Sequence, residues 1–102
     1  LGVWAADATN AFAVGEQGTI LRRTASGWSK DMNPGSAMLW GVMGSSATKA
    51  WAVGTSGQIL EFGGGSWKLV SSSTVNDLFQ LVVRGNQVLA VGAGGTVLNK
   101  AQ

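Results

Sequence analysis

The chain has 102 residues and contains neither cysteine nor histidine, which excludes disulfide bonds, thiol catalysis and imidazole–metal sites. Seven basic and five acidic residues leave a net charge of only +2, and no basic patch with aromatic residues beside it predicts nucleic-acid binding. Apolar runs stay well below the roughly 20 residues of a membrane-spanning helix, so we expect no membrane insertion.

A motif of eleven residues occurs three times along the chain. Its copies occupy residues 11–21, 50–60 and 88–98. Gly15 and Gly54 are 39 positions apart, and Gly54 and Gly92 are 38 apart. A nearly constant period of this size is typical of a repeat protein, in which each repeat is one unit of supersecondary structure.

Taken in chain order, the repeats span about residues 1–38, 39–77 and 78–102, and together they form one repeat domain. Each contains short apolar runs that predict strands, which in the second repeat cover residues 39–44, 49–54, 58–62 and 66–71. Glycine supplies the positive φ that tight turns between such strands need. The structural repeat positions are Gly15, Gly54 and Gly92, then Gly18, Gly57 and Gly95, and finally Trp28 and Trp67.

The second strand of each repeat carries large and small side chains on opposite faces. Phe12, Trp51 and Leu89 lie on one face, and alanine or valine alternates with them on the other. Because both faces are apolar, the pattern predicts sheets that are buried on both sides. Large residues of one sheet are expected to fit against small residues of the next.

These features predict an all-β protein, a β-propeller of four-stranded antiparallel blades. A parallel β-solenoid and a β-sandwich are the structural alternatives. The chain provides about 2.6 blades, whereas a ring needs roughly 4–8. We therefore expect either a partial propeller from a longer protein or a ring that is completed by several copies.

The sequence resembles a blade of the sialidase-type (Asp-box) and photosystem-assembly-factor-like propellers. The resemblance lies in Trp-Gly-Val at residues 40–42, Ala-Trp-Ala-Val-Gly at 50–54, Gly-x-Ile-Leu at 57–60 and the glycine-rich turn before Trp67. It implies a propeller fold and an extracytoplasmic location, secreted, periplasmic or on the cell surface. It does not imply one function, because the group includes glycosidases, lectin-like binders and assembly factors.

The residues disfavour catalysis, and we expect no catalytic residue, no metal site and no cofactor. No histidine is available as a general base, and no tyrosine is available as the nucleophile that the sialidase resemblance implies. The five acidic residues fall at different repeat positions, where solvated charge is the simpler interpretation. Arg22-Arg23, the only basic pair, is interpreted as a solvated turn or strand end.

Binding is the remaining class of function, and two hypotheses are open. One is a rigid scaffold for a protein partner or for further copies of the chain. The other is a lectin-like carbohydrate binder that uses exposed tryptophans, with Trp4 and Trp40 as better candidates for exposure than Trp28, Trp51 or Trp67. Loops that vary between repeats are the expected binding positions. They contain Asp7, Asn10, Glu16, Gln17, Lys49, Thr55, Ser56, Arg84 and Asn86.

Overall fold

The computed structural model describes residues 2–101, which form eleven β-strands in three separate antiparallel sheets. The first sheet contains β1 (Gly2–Ala5), β2 (Ala11–Val14), β3 (Ile20–Thr24) and β4 (Gly27–Lys30). The second contains β5 (Leu39–Ser46), β6 (Lys49–Gly54), β7 (Ile59–Gly63) and β8 (Ser66–Val70). The third contains β9 (Leu78–Arg84), β10 (Gln87–Gly92) and β11 (Val97–Ala101). The expectation of an all-β protein is confirmed.

Within each sheet, strands that follow one another in the sequence are hydrogen-bonded neighbours. The first strand of each sheet, β1, β5 or β9, is therefore an edge strand, and the last strand forms the opposite edge. The four strands expected in the second repeat are present, although β5 runs two residues further than expected and β7 begins one residue later. The later start of β7 follows from a short turn of 3-10 helix that precedes it.

A 3-10 turn joins the second and third strands of every sheet, at Glu16–Gly18, Thr55–Gly57 and Ala93–Gly95. The middle residue of each turn has a left-handed backbone, with φ of 58° at Gln17, 59° at Ser56 and 66° at Gly94. A left-handed glycine follows in each case. Two successive left-handed residues reverse the chain within a very short span.

The glycine that precedes each 3-10 turn is one of the structural repeat positions, and it does not have a positive φ. Gly15, Gly54 and Gly92 have extended backbones, with φ between −161° and −170°, so positive φ is not the reason for glycine there. Instead, a Cβ added at Gly54 would overlap the Met38 carbonyl oxygen, and one at Gly92 would overlap that of Asp77. Close approach of another backbone segment requires these two glycines.

The segments that cross between sheets make this close approach. Residues 31–38 lead from β4 to β5 and residues 71–77 lead from β8 to β9. The Thr55 amide donates to the Met38 carbonyl at 3.0 Å, and the Ala93 amide donates to the Asp77 carbonyl at 2.8 Å. Each crossing segment is thereby fixed to the 3-10 turn of the sheet that it enters.

The second sheet packs between the other two, in two separate apolar cores. In the first core, Phe12 and Val14 of β2 face the small Ala50 and Ala52 of β6. In the second core, Trp51 and Val53 of β6 face Val88 and Ala90 of β10. The expected fit of large residues against small ones is present in both cores.

The three sheets come closest along β1, β5 and β9. A Cβ added to Gly2 of β1 would lie 3.2 Å from the Gly41 Cα of β5. One added to Gly41 would lie 3.5 Å from the Gln80 Cα of β9. The sheets therefore approach most tightly at the edge formed by their first strands.

Candidate functional site

The candidate loop residues lie at two opposite ends of the sheets. In an antiparallel sheet, successive connections alternate between the two ends. Connections from first to second strands place one group at one end: Asp7, Asn10, Lys49, Arg84 and Asn86. Connections from second to third strands place the other group at the far end: Glu16, Gln17, Thr55 and Ser56. The structure therefore does not bring the candidates together into one site.

The loop between β1 and β2 is organised by the Asp7 carboxylate. Its Oδ1 accepts hydrogen bonds from the Thr9 amide at 2.8 Å, from the Asn10 amide at 2.9 Å and from Asn10 Nδ2 at 3.0 Å. The Thr9 amide bond, followed by the Asn10 and Thr9 side-chain bonds, holds the pKa of Asp7 below its usual value. Asp7 and Asn10 are thus hydrogen-bonded to each other, as in an Asx turn, and these bonds close the loop.

The other candidates at this end do not form a cluster with Asp7. Lys49 Nζ lies 3.6 Å from Glu61 Oε2 and 5.8 Å from the centre of the Trp51 ring. Arg84, the last residue of β9, and Asn86, in the turn between β9 and β10, are exposed. Lys49 is thus positioned by its own sheet.

At the opposite end, the second sheet is tied to the crossing segments. The Ser56 amide donates to Asp77 Oδ1 at 2.9 Å, and the Thr55 amide is bonded to Met38. These contacts hold the crossing segments in place. Thr55 and Ser56 are therefore positioned by the packing between sheets.

The corresponding part of the first sheet is open. Exposed Glu16 and Gln17 border a cavity of about 440 Å³, which Ala13 and Leu21 also line. In the second sheet, the equivalent position is covered by the crossing segment that carries Met38. The cavity thus has the surroundings that receive an extended backbone segment elsewhere in this molecule.

The outward face of the first sheet, here called the first open face, is largely apolar. Direct cross-strand partners share one face of a sheet, so pairing places Val3, Ala13 and Leu21 together, and Ala11, Arg23 and Trp28 beside them. The side chain of Val3 is 71% exposed and that of Trp28 is 49% exposed. The face is opposite to the one that packs on the second sheet.

The outward face of the third sheet, here called the third open face, is also apolar. Pairing places Val82, Leu89 and Asn99 on it, with Gln80, Val91 and Val97 beside them. Val82, Val91 and Val97 are 51%, 39% and 62% exposed. The two open faces contain five of the nine large apolar side chains that are exposed among residues 2–101.

Trp28, expected to be less exposed than Trp4 and Trp40, is more exposed than either. Its repeat partner Trp67 is 5% exposed because Phe12 of the first sheet packs edge-on against it, with ring centres 5.2 Å apart. Trp28 occupies the same position on the first sheet, whose outward face no described sheet covers. Trp4 and Trp40, expected to be the more exposed, are half-buried, and Trp4 packs against the first core.

A polar cluster joins the first and second sheets, and no sequence pattern indicated it. Asp31 Oδ1 lies 3.3 Å from Arg22 Nη2, and Asp31 Oδ2 accepts a hydrogen bond from Trp67 Nε1 at 3.0 Å. The Arg22 guanidinium also lies 5.1 Å from the centre of the Phe62 ring. Arg22 is thus part of an interface between sheets instead of a solvated strand end.

Within residues 2–101, no group of three or more histidine, cysteine, aspartate or glutamate side chains is placed to hold a metal ion. The same residues contain no helix with the length and apolar character to cross a membrane. Models of known protein families give no match to the chain, and neither does a search of curated proteins.

Proposed function

We propose that the three sheets are blades of a β-propeller of the sialidase-type or photosystem-assembly-factor-like kind. Its ring would be a rigid, non-enzymatic scaffold in a secreted or surface protein, and it would bind a protein partner or further copies of the chain. The repeat period, the two four-stranded and one three-stranded antiparallel sheets, and their close approach at the first strands support a radial arrangement.

The observation that carries this proposal is that one type of interface is used twice. The second sheet uses its small-residue face, with Ala50 and Ala52, against the first sheet, and its large-residue face, with Trp51, against the third. The outer two sheets each keep one of these face types uncovered. Exposed apolar faces of this kind are typical of protein-interaction surfaces.

The chemistry of the chain supports a role in binding over catalysis. The group of propellers that the chain resembles includes glycosidases. The nucleophilic tyrosine of the sialidase type, however, has no counterpart in a chain without tyrosine. Asp7 and Asp31, two of the five acids, are engaged in closing a loop and in joining two sheets. We accordingly propose no cofactor, and no contact with nucleic acid or with the interior of a membrane.

A lectin-like function is the second candidate, and exposed Trp28 favours it. An indole face that is 49% exposed could stack on a sugar ring. Its equivalence to buried Trp67 favours the scaffold, because a covered first open face would bury Trp28 in the same way. The two functions therefore predict different contacts for the Trp28 indole, a sugar ring for the lectin and a protein surface for the scaffold.

Solution mass and tryptophan fluorescence separate the two functions. A scaffold that binds further copies of the chain predicts a discrete complex heavier than the 10.4 kDa chain in a light-scattering series over concentration, and a scaffold that binds a different protein predicts a monomer. Both predict no fluorescence response to a panel of monosaccharides and glycans. A 10.4 kDa monomer at every concentration, with a saturable sugar response that Trp28→Ala abolishes, would establish the lectin and refute the scaffold. Trp28→Phe is the matched variant, since it retains an aromatic face.

A further inference from the structure

We infer that the partner of this scaffold is a second copy of the chain, bound head to tail. The third open face of one copy packs on the first open face of the next. This inference rests on the scaffold function proposed above and adds the identity of the partner and the two surfaces. It follows from the relation between the two open faces and the two interfaces already present in the molecule.

The two open faces are the two unlike halves of the repeated interface. On the third open face, Leu89, Val91 and Val97 take the repeat positions of Phe12, Val14 and Ile20, which the first sheet presents to the second. On the first open face, Val3, Leu21 and Trp28 take the positions of Val42, Leu60 and Trp67, which the second sheet presents to the first. Every copy therefore carries both halves.

The interface between the first and second sheets, here called the first interface, shows which side chains would meet between copies. Phe12 contacts Phe62 and Trp67, with ring centres 4.9 and 5.2 Å apart. The equivalent contact places Leu89 of one copy against Trp28 of the next. Trp28 would then be covered as Trp67 is, and the large-against-small fit would be retained, because Ala11 and Ala13 stand where the second sheet has Ala50 and Ala52.

The polar residues at the position of the Arg22–Phe62 contact are compatible with this arrangement, although both open faces also carry basic residues, Arg23 and Lys30 on the first and Arg84 on the third. Arg22 lies over the Phe62 ring in the first interface. At the equivalent positions, the third open face carries neutral Asn99 and the first open face carries Arg23. An amide would therefore face the guanidinium, and no pair of like charges would meet there.

Gln80 is a position where the contact between copies cannot reproduce the backbone approach of the internal interfaces. Its repeat equivalents, Gly2 and Gly41, lie where the first strands approach most closely, and a Cβ on Gly2 would already be 3.2 Å from the Gly41 Cα. The Gln80 side chain must occupy this narrow space against β1 of the next copy. The contact between copies is therefore looser at its inner edge than the internal interfaces, and Gln80→Gly should tighten it.

Single blocking substitutions on each open face test the arrangement. Val3→Asp places a carboxylate on the first open face, and Val91→Asp places one on the third. Burying an unpaired carboxylate against apolar side chains should weaken association by about 100-fold or more. Because Val3 and Val91 are 71% and 39% exposed, both variants should keep their fold, which circular dichroism would check.

Mixing the two variants gives the decisive result. Each variant alone should be a monomer by light scattering, because one of its two faces is blocked. An equimolar mixture should form a one-to-one dimer, in which the intact third open face of Val3→Asp binds the intact first open face of Val91→Asp. An interface that uses the same patch twice cannot be rescued in this way.

Val75→Asp is the matched control, because Val75 is 83% exposed on a crossing segment and belongs to neither open face. It should leave the wild-type mass unchanged, while Gln80→Gly should lower the dissociation constant by about tenfold. A monomeric wild type, wild-type masses for Val3→Asp and Val91→Asp, or no dimer in the mixture would each overturn the head-to-tail contact. A discrete wild-type complex that resists both substitutions would leave the scaffold function intact, whereas a sugar-binding monomer would refute both proposals.

Discussion

The two internal interfaces are formed by equivalent strands of the sheets but differ in side-chain packing. The first, between the first and second sheets, is aromatic, with Phe12 against the Phe62 and Trp67 rings. The second, between the second and third sheets, buries Trp51 among aliphatic side chains and has one edge-on aromatic contact, Trp40 of β5 against Phe79 of β9, with ring centres 5.6 Å apart. In both interfaces large side chains of one sheet pack against small side chains of the next. Different combinations of apolar side chains can therefore fill the space between equivalent strands.

The hydrogen bonding of the buried tryptophan also differs between the two interfaces. In the first interface, the buried Trp67 indole has an acceptor, Asp31, which is itself paired with Arg22. In the second interface, Trp51 Nε1 is buried with no hydrogen-bond partner among residues 2–101. An unpaired buried N–H has an energetic cost, so the buried tryptophan of the first interface has a specific polar link that Trp51 lacks.

Removal of the Trp51 side chain should have the largest effect. Trp51 is fully buried, and Trp51→Ala should lower the free energy of unfolding by about 3–5 kcal/mol in urea. Because each sheet of a stacked repeat protein depends on its nearest neighbours, amide exchange should increase most in β9–β11 and least in β2–β3. Met32→Ala is the control, since Met32 is 86% exposed and its loss should change stability by no more than about 0.5 kcal/mol. A uniform rise in exchange over all three sheets would mean that the interfaces are not separable.

The next effect should come from Gly54, which holds the crossing segment in place. A Cβ at this position overlaps the Met38 carbonyl, so Gly54→Ala should displace the segment and cost about 1–3 kcal/mol in the same unfolding assay. Gly63→Ala is a matched control, because no atom lies within 4 Å of a Cβ at Gly63 and its φ is not positive. Equal stability losses in the two variants would contradict close packing as the reason for Gly54.

Asp31 should have an intermediate effect that is confined to the first interface. Asp31→Ala leaves the Trp67 indole N–H without its acceptor and Arg22 without its carboxylate, and should cost about 1–3 kcal/mol of unfolding free energy. Asp31→Asn keeps a carbonyl oxygen for Trp67 and loses only the ion pair with half-exposed Arg22, so it should cost about 1 kcal/mol or less. The indole proton resonance of Trp67 reports the hydrogen bond directly. If alanine and asparagine were equally destabilising, the link to Trp67 would contribute nothing.

The strands and the packing of their faces could be predicted because they depend on local patterns. The repeat period located the four strands of the second repeat, and the alternation of Phe12 and Trp51 with alanines indicated the fit between sheets. Both features are encoded within a few consecutive residues.

Features that depend on a neighbouring sheet could not be predicted. Trp28 and Trp67 have the same place in the repeat, yet only Trp67 is covered, because burial depends on which sheet lies opposite. Asp31 and Trp67 are 36 residues apart, and no local pattern indicates their hydrogen bond. Among the candidate loop residues, the sequence marked variable positions, but it did not show that Asp7 is used to close its own loop.

The smallest expected effect concerns the Asp7 loop, which lies away from both interfaces. Hydrogen bonds to the carboxylate, chiefly from the Thr9 amide, lower the pKa of Asp7 in the folded protein relative to 3.8. Its contribution to stability is therefore present above the unfolded-state pKa and is lost as the pH falls through the lower folded-state pKa. A carbon-detected NMR titration should give an Asp7 midpoint below 3.8, and amide exchange at Thr9 and Asn10 should increase as that midpoint is passed. Asp7→Asn should remove this pH dependence of loop exchange, whereas Glu16→Gln, an equal change of charge at the opposite end, should leave it in place. Because the loop is exposed and distant from both cores, exchange in β6 and β10 should remain unchanged over the same pH range.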